Sequence, residues 1–99
     1  MIYFDNAATT RVTPEAAQTV FKYLTEKYYN PSAMYHEALD VKNDLENARS
    51  VILNQIGGEG KLYFTSGGTE SDNLAFFGTK KKRNSRVIIS AVEHAAVYQ

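Results

Sequence analysis

Apolar positions recur at helical intervals through the first half of the chain and collect into short runs in the second. Ala17, Val20, Phe21, Leu24 and Tyr28 are spaced by three and four, which predicts a helix with one apolar face. Thr13-Pro14-Glu15 supplies its start. Thr13 can cap free amides, Pro14 has the φ of a first helical residue, and Glu15 favours the positive end of the dipole. The helix is expected to end by Tyr29, because Pro31 disfavours helical geometry at Asn30. The loop "NPSAMYHEA" leads into the longest predicted helix. Ala38, Val41, Leu45, Ala48, Ile52 and Ile56 mark its apolar side, Asp40, Lys42, Asn43, Glu46, Asn47 and Arg49 much of the other, and Gly57-Gly58 its stop.

The period then changes. Leu62-Tyr63-Phe64-Thr65 is a short aromatic run that suits a pleated strand. A helix is expected from about Thr69 to Phe77, ending at Gly78. After the basic loop "KKKRNS", Val87-Ile88-Ile89 is too uniformly apolar for a half-exposed strand, which favours a parallel strand covered on both faces. Strand 62–65, helix 69–77 and strand 87–90 therefore form a predicted βαβ unit, and the fold class is α/β. Ile2 to Phe4 is a further short apolar run, broken by "DNAATT". No internal repeat or low-complexity segment interrupts this order.

Composition narrows the classes of function. Ninety-nine residues make one domain or part of one, and a 43% apolar fraction allows a core with a thin margin. Eleven basic and eleven acidic side chains cancel, so nothing favours nucleic acid or an anionic membrane, and the four charges of Lys80 to Arg83 read as a solvated loop. The chain has no cysteine and only two histidines far apart, which removes disulfides and thiolate zinc sites and makes a transition-metal site unexpected. There is no signal-peptide pattern and no run near the ~20 apolar residues of a membrane span, so a cytoplasmic location is the default. The end "VEHAAVYQ" carries neither a helix stop nor a polar tail, which reads as the front part of a longer chain.

Two stretches hold candidate chemistry. In "FTSGGTESDN", Phe64 to Asn73, a strand runs through two glycines into a helix start. Free backbone amides converge there, the dipole adds positive potential, and glycine lets the backbone approach a ligand closely. This predicts a phosphate site at Gly67, Gly68 and Thr69, although "SGGT" taken alone favours a plain strand-to-helix turn that needs glycine and a threonine cap. It is neither a Walker loop nor Gly-x-Gly-x-x-Gly. In "SAVEHAAV", His94 follows the second strand, at the sheet edge where open α/β sheets bind ligands. The first strand delivers its glycine turn to the same edge, so His94 and Thr69 are expected to face one crevice; by itself His94 could as well cap a helix start. "YFDNAATT" alone reads as a turn with close packing, and "NPSAMYHEA" as a capped helix start with His36 solvated on its first turn.

Taken in order, "YFDNAATT", "NPSAMYH", "FTSGGTESDNLA" and "EHAAV" resemble the N-terminal quarter of the cysteine desulfurases. These are pyridoxal-phosphate (PLP) enzymes of aminotransferase class V and fold type I. "GGTESDN" and "EHAAV" look most like the group I branch, which serves iron–sulfur cluster assembly and nitrogen fixation. The resemblance covers nearly the whole chain, and the ordered set is specific where each motif is weak. Gly68 stands where alanine is common, Ala33 where serine is common, and Leu39 where glycine is common.

The resemblance implies roles for particular residues. Gly67, Gly68 and Thr69 would hold the PLP phosphate, and His94 would stack on the pyridine ring and help move protons. Asp5, Asn6, Ala7 and Ala8 would lie near the substrate, and the loop around Asn30 and His36 would border the dimer and the site entrance. Residues 1–12 would be an N-terminal arm and 13–99 the start of the large cofactor domain. The implied reaction converts L-cysteine to L-alanine and leaves the sulfur as an enzyme persulfide. The implied partners are a second subunit and a sulfur-accepting iron–sulfur scaffold. The Schiff-base lysine, the aspartate under the pyridine nitrogen, the carboxylate-binding arginine and the nucleophilic cysteine of such enzymes lie beyond the stretch that these 99 residues match, so the chain alone is expected to be inactive. Two alternatives remain open: another class V PLP enzyme, an aminotransferase or selenocysteine lyase, and a non-catalytic phosphate-binding module.

Overall fold

The computed structural model describes residues 1–79 and 85–98. The basic run Lys80 to Arg83 and the terminal Gln99 lie outside the described residues. Four helices follow in order: α1 (Pro14–Thr25), α2 (His36–Gln55), α3 (Gly68–Gly78) and α4 (Ala95–Tyr98). The chain divides into two compact units, Met1–Glu59 and Gly60–Gln99.

In the first unit, α1 starts as its sequence dictates. Thr13 is extended, its Oγ1 accepts from the Ala16 N–H at 3.3 Å, and Pro14 opens the first turn. The helix stops at Thr25, four residues before the expected limit at Tyr29. The Lys27 N–H bonds to the Lys22 carbonyl at 2.9 Å, five residues back, which widens the last turn. The Lys27 side chain is meanwhile held by Asp44 of α2, which also accepts the Tyr23 hydroxyl at 2.8 Å. The released Tyr28 stacks on Tyr29, and Tyr29 meets Tyr35 edge to face.

Between the helices, Asn30 and Pro31 make a tight turn. Asn30 Oδ1 accepts from Ser32 N–H at 2.9 Å and its carbonyl from Ala33 N–H at 3.0 Å, a turn that uses asparagine and proline in their favoured places. α2 then begins without a side-chain cap at Tyr35, and the expected capped start is not made; His36 is solvated on the first turn, with Nε2 4.0 Å from Asp40. At its far end the Gly57 N–H bonds to the Asn54 carbonyl and the Gly58 N–H to the Leu53 carbonyl, with Gly57 at φ 62°. That is the Schellman arrangement, and its left-handed residue explains the glycine at 57. Ala38 is fully buried and Val41 nearly so, while Ile52 and Ile56 at the other end of the same stripe are exposed.

Residues 5–9 form a turn: Ala8 and Thr9 N–H groups reach the Asp5 carbonyl, and the Tyr3 hydroxyl lies 2.9 Å from the Asp5 carbonyl and 3.1 Å from that of Thr9. The turn is as expected; the close packing is not, since Asp5 to Ala8 are all exposed.

In the second unit α3 packs against α4. The α3 bounds match the expected helix to within a residue. The expected strands do not form. No strand occurs among the described residues, so the expected short strands and their βαβ unit are corrected, while the helix-rich character of the expected α/β chain is found. A strand exists through the hydrogen bonds of a neighbour, and neither 62–65 nor 87–90 has a ladder here. The expectation that Val87 to Ile89 are covered on both faces fails with it, since Ile88 is 92% exposed.

Candidate functional site

The second unit contains a cavity of about 220 Å³ lined by Thr69, Asn73, His94, Ala95 and Ala96. Two of the residues singled out by sequence, Thr69 and His94, thus come together although far apart in the chain. Thr69 sits in the first turn of α3 and His94 immediately precedes α4. Gly67 and Gly68 make the entry to α3, and a Cβ built on either would meet nothing within 4 Å. The space in front of that backbone is therefore open to a ligand. Asp5, Asn6, Ala7 and Ala8 belong to the first unit.

Side chains hold the entry turn. The Glu70 carboxylate reaches back to accept from the Ser66 N–H at 2.7 Å and the Ser66 hydroxyl at 2.5 Å. These bonds pull the Glu70 pKa below the ordinary carboxylate value, the hydroxyl bond first and the amide bond second. Thr65 Oγ1 lies 3.1 Å from the Gly67 carbonyl and 2.6 Å from the Ser71 hydroxyl. The braces therefore take the Ser66 amide and leave those of the first α3 turn, which have no carbonyl one turn back within the helix. Such amides, with the dipole behind them, suit a phosphate.

Asn73 was not singled out by sequence reasoning. Its Nδ2 donates to the Thr69 carbonyl at 2.8 Å, which fixes its side chain one turn above Thr69 on the cavity side. The signal was present in "GGTESDN": four residues after Thr69 a helix returns to the same face. On the opposite wall His94 Nδ1 accepts from the Ala96 N–H at 3.1 Å, and the His94 carbonyl from the Val97 N–H at 2.9 Å. The histidine thus both lines the cavity and caps a short helix, so the two roles weighed for it are combined. No cluster of metal-ligating side chains occurs among the described residues, and no helix among them is long and apolar enough to cross a membrane.

Residues 2–99 match the family Aminotransferase class-V. The chain is 42% identical over 100 residues to a cysteine desulfurase of Cereibacter sphaeroides, covering 97% of this chain and 26% of that protein. It is 41% identical over 101 residues to a NifS/IcsS protein homolog of Lactobacillus delbrueckii subsp. bulgaricus, covering 98% of this chain and 26% of that protein. Against the cysteine desulfurase NifS of Azotobacter vinelandii the identity is 39% over 100 residues, 97% of this chain and 25% of that protein. No solved structure matches. The chain belongs to the aminotransferase class-V family, and it spans about a quarter of the length of the curated relatives it matches.

Proposed function

We propose that this chain is the cofactor-phosphate portion of a PLP-dependent cysteine desulfurase, which converts L-cysteine to L-alanine and passes the sulfur, as an enzyme persulfide, to iron–sulfur cluster assembly. The observation that carries the proposal is the cavity in which Thr69 and His94 meet beside the open Gly67-Gly68 turn. The names of the relatives favour the desulfurase over the other class V activities.

The residues present fit the phosphate and one face of the ring. Gly67, Gly68 and Thr69 would hold the phosphate through backbone amides and the Thr69 hydroxyl, and His94 would lie against the ring. When bound, the cofactor supplies the electron sink for breaking the bonds of the amino acid. Thr69 contributes binding and orientation, Glu70 keeps the turn in shape, and His94 holds a proton at the ring face. Asp5 to Ala8 would lie by the substrate, residues 1–12 form the arm, and 13–99 open the large cofactor domain of a cytoplasmic homodimer.

A chimera tests the proposal. Residues 1–99 replace the matching quarter of the C. sphaeroides enzyme, and alanine formed from cysteine is measured. The expected result is an active chimera that binds PLP, with weaker PLP binding in T69A and slower turnover in H94A. A soluble, folded chimera that binds no PLP would overturn the assignment of Gly67, Gly68 and Thr69.

A further inference from the structure

Histidine 94 has a hydrogen bond that the cofactor reading does not use. Its Nδ1 accepts from the Ala96 N–H at 3.1 Å, two residues on, while its own carbonyl closes the first turn of α4 on the Val97 N–H at 2.9 Å. A neutral imidazole has one protonated and one bare nitrogen, and the partner of one fixes the state of the other. An amide N–H can only donate, so the nitrogen facing it must be bare. The proton of the neutral ring therefore sits on Nε2.

We propose that the Ala96 amide is the positioning group that fixes His94 as the Nε2–H tautomer, so that the nitrogen left for a ligand is a hydrogen-bond donor. A neutral ring in this state can take up a proton only at Nδ1, and Nδ1 is engaged by Ala96. To act as a base, His94 must first give up the α4 cap, either by ring rotation or by loss of the Ala96 bond. Proton movement at the cavity is thereby coupled to the start of α4. The consequence for catalysis rests on the cofactor reading; the tautomer does not.

The chimera stripped of PLP, in which residues 1–99 have the rest of the domain around them, decides the matter. A nitrogen–proton correlation spectrum of the histidine-labelled chimera is recorded with the imidazoles neutral, and His94 is assigned by its absence in H94N. The expected spectrum shows Nε2 protonated and Nδ1 bare, without the mixed averaging of a free imidazole. A mixture, or a proton on Nδ1, overturns the proposal. In A96P the donor is lost, and the ring is expected to relax to the free-imidazole mixture; an unchanged tautomer overturns the proposal. Amide exchange gives a readout that does not need A96P to fold. Exchange at Ala96 should be severalfold faster in H94A and restored in H94N, whose Oδ1 can accept in place of Nδ1; equal rates in all three chains overturn it. Because no PLP is present, failure here leaves the PLP-binding experiment standing, and a chimera that binds no PLP leaves the tautomer standing.

Discussion

Glu70 illustrates how a local motif sets the shape of the candidate site. A glutamate early in a helix is ordinarily read as an answer to the dipole, yet here its carboxylate bonds back to Ser66, before the helix begins. Its pKa is held below 4.5 by those two bonds, so the brace is complete above the unfolded-state pKa and is lost as pH falls through the lower folded value. Acidifying the chain is therefore expected to move the amide signals of Ser66 to Thr69 in one transition below pH 4.5, and E70Q is expected to abolish it. A transition that persists unchanged in E70Q would assign the movement to another group. At the same scale, Thr69 was legible because glycine-rich turns have known chemistry, whereas His94 was expected at a sheet edge that the described residues do not form and meets Thr69 through the packing of α3 on α4 instead. Asn73 was overlooked because its role depends on a helical return to the Thr69 face and on a side-chain bond to a backbone carbonyl.

At the scale of elements, helix starts and stops were legible where the signal is local. Thr13-Pro14 and Gly57-Gly58 act through their own backbone and neighbours, and α1 begins and α2 ends beside them. α1 ends within the limit that Pro31 sets, and its stop as early as Thr25 goes with a tie that is distant in sequence: Asp44 of α2 holds Tyr23 and Lys27 together. This tie has a defined pH window. The Asp44 pKa is lowered by hydrogen bonds from Lys27 and then Tyr23, so its contribution is lost as pH falls through the folded value. The Lys27 and Tyr23 values are raised, each chiefly by the bond to Asp44, so their contribution is lost as pH rises through the folded values. D44N should lower the Tm slightly between these limits and leave it unchanged at the acid end, because half-exposed pairs contribute little. An equal loss at every pH would point to packing instead. Burial matters more. Ala38 and Val41 are the only buried apolar side chains among the described residues, and V41A removes two methyl groups from that small core. The expected cost is about 2 kcal/mol by denaturant unfolding. T13A removes the α1 cap at an expected cost of about 1 kcal/mol.

For the molecule as a whole, the apolar pattern predicts faces but not what covers them. The α1 stripe is present as expected, yet Phe21 and Leu24 are 65% and 72% exposed. In the other unit Ile88 and Val92 are open to solvent, and no strand forms at 62–65 or 87–90 among the described residues. Helices can form on local bonds alone, whereas a strand needs a neighbour that is distant in sequence. That difference explains why the helices of the expected βαβ order appear and its strands do not. Contiguous exposed apolar patches bind other surfaces or drive aggregation. The 99-residue chain on its own is therefore expected to self-associate or to be only marginally folded. Sedimentation should show mass rising with concentration, and calorimetry a broad transition of low enthalpy. The same preparation should yield no alanine from cysteine above a control with PLP alone, because no cysteine is present to receive the sulfur. A monodisperse monomer with a sharp, cooperative melt would mean that the exposed residues find cover within these 99 residues, and it would contradict the open faces described for both units.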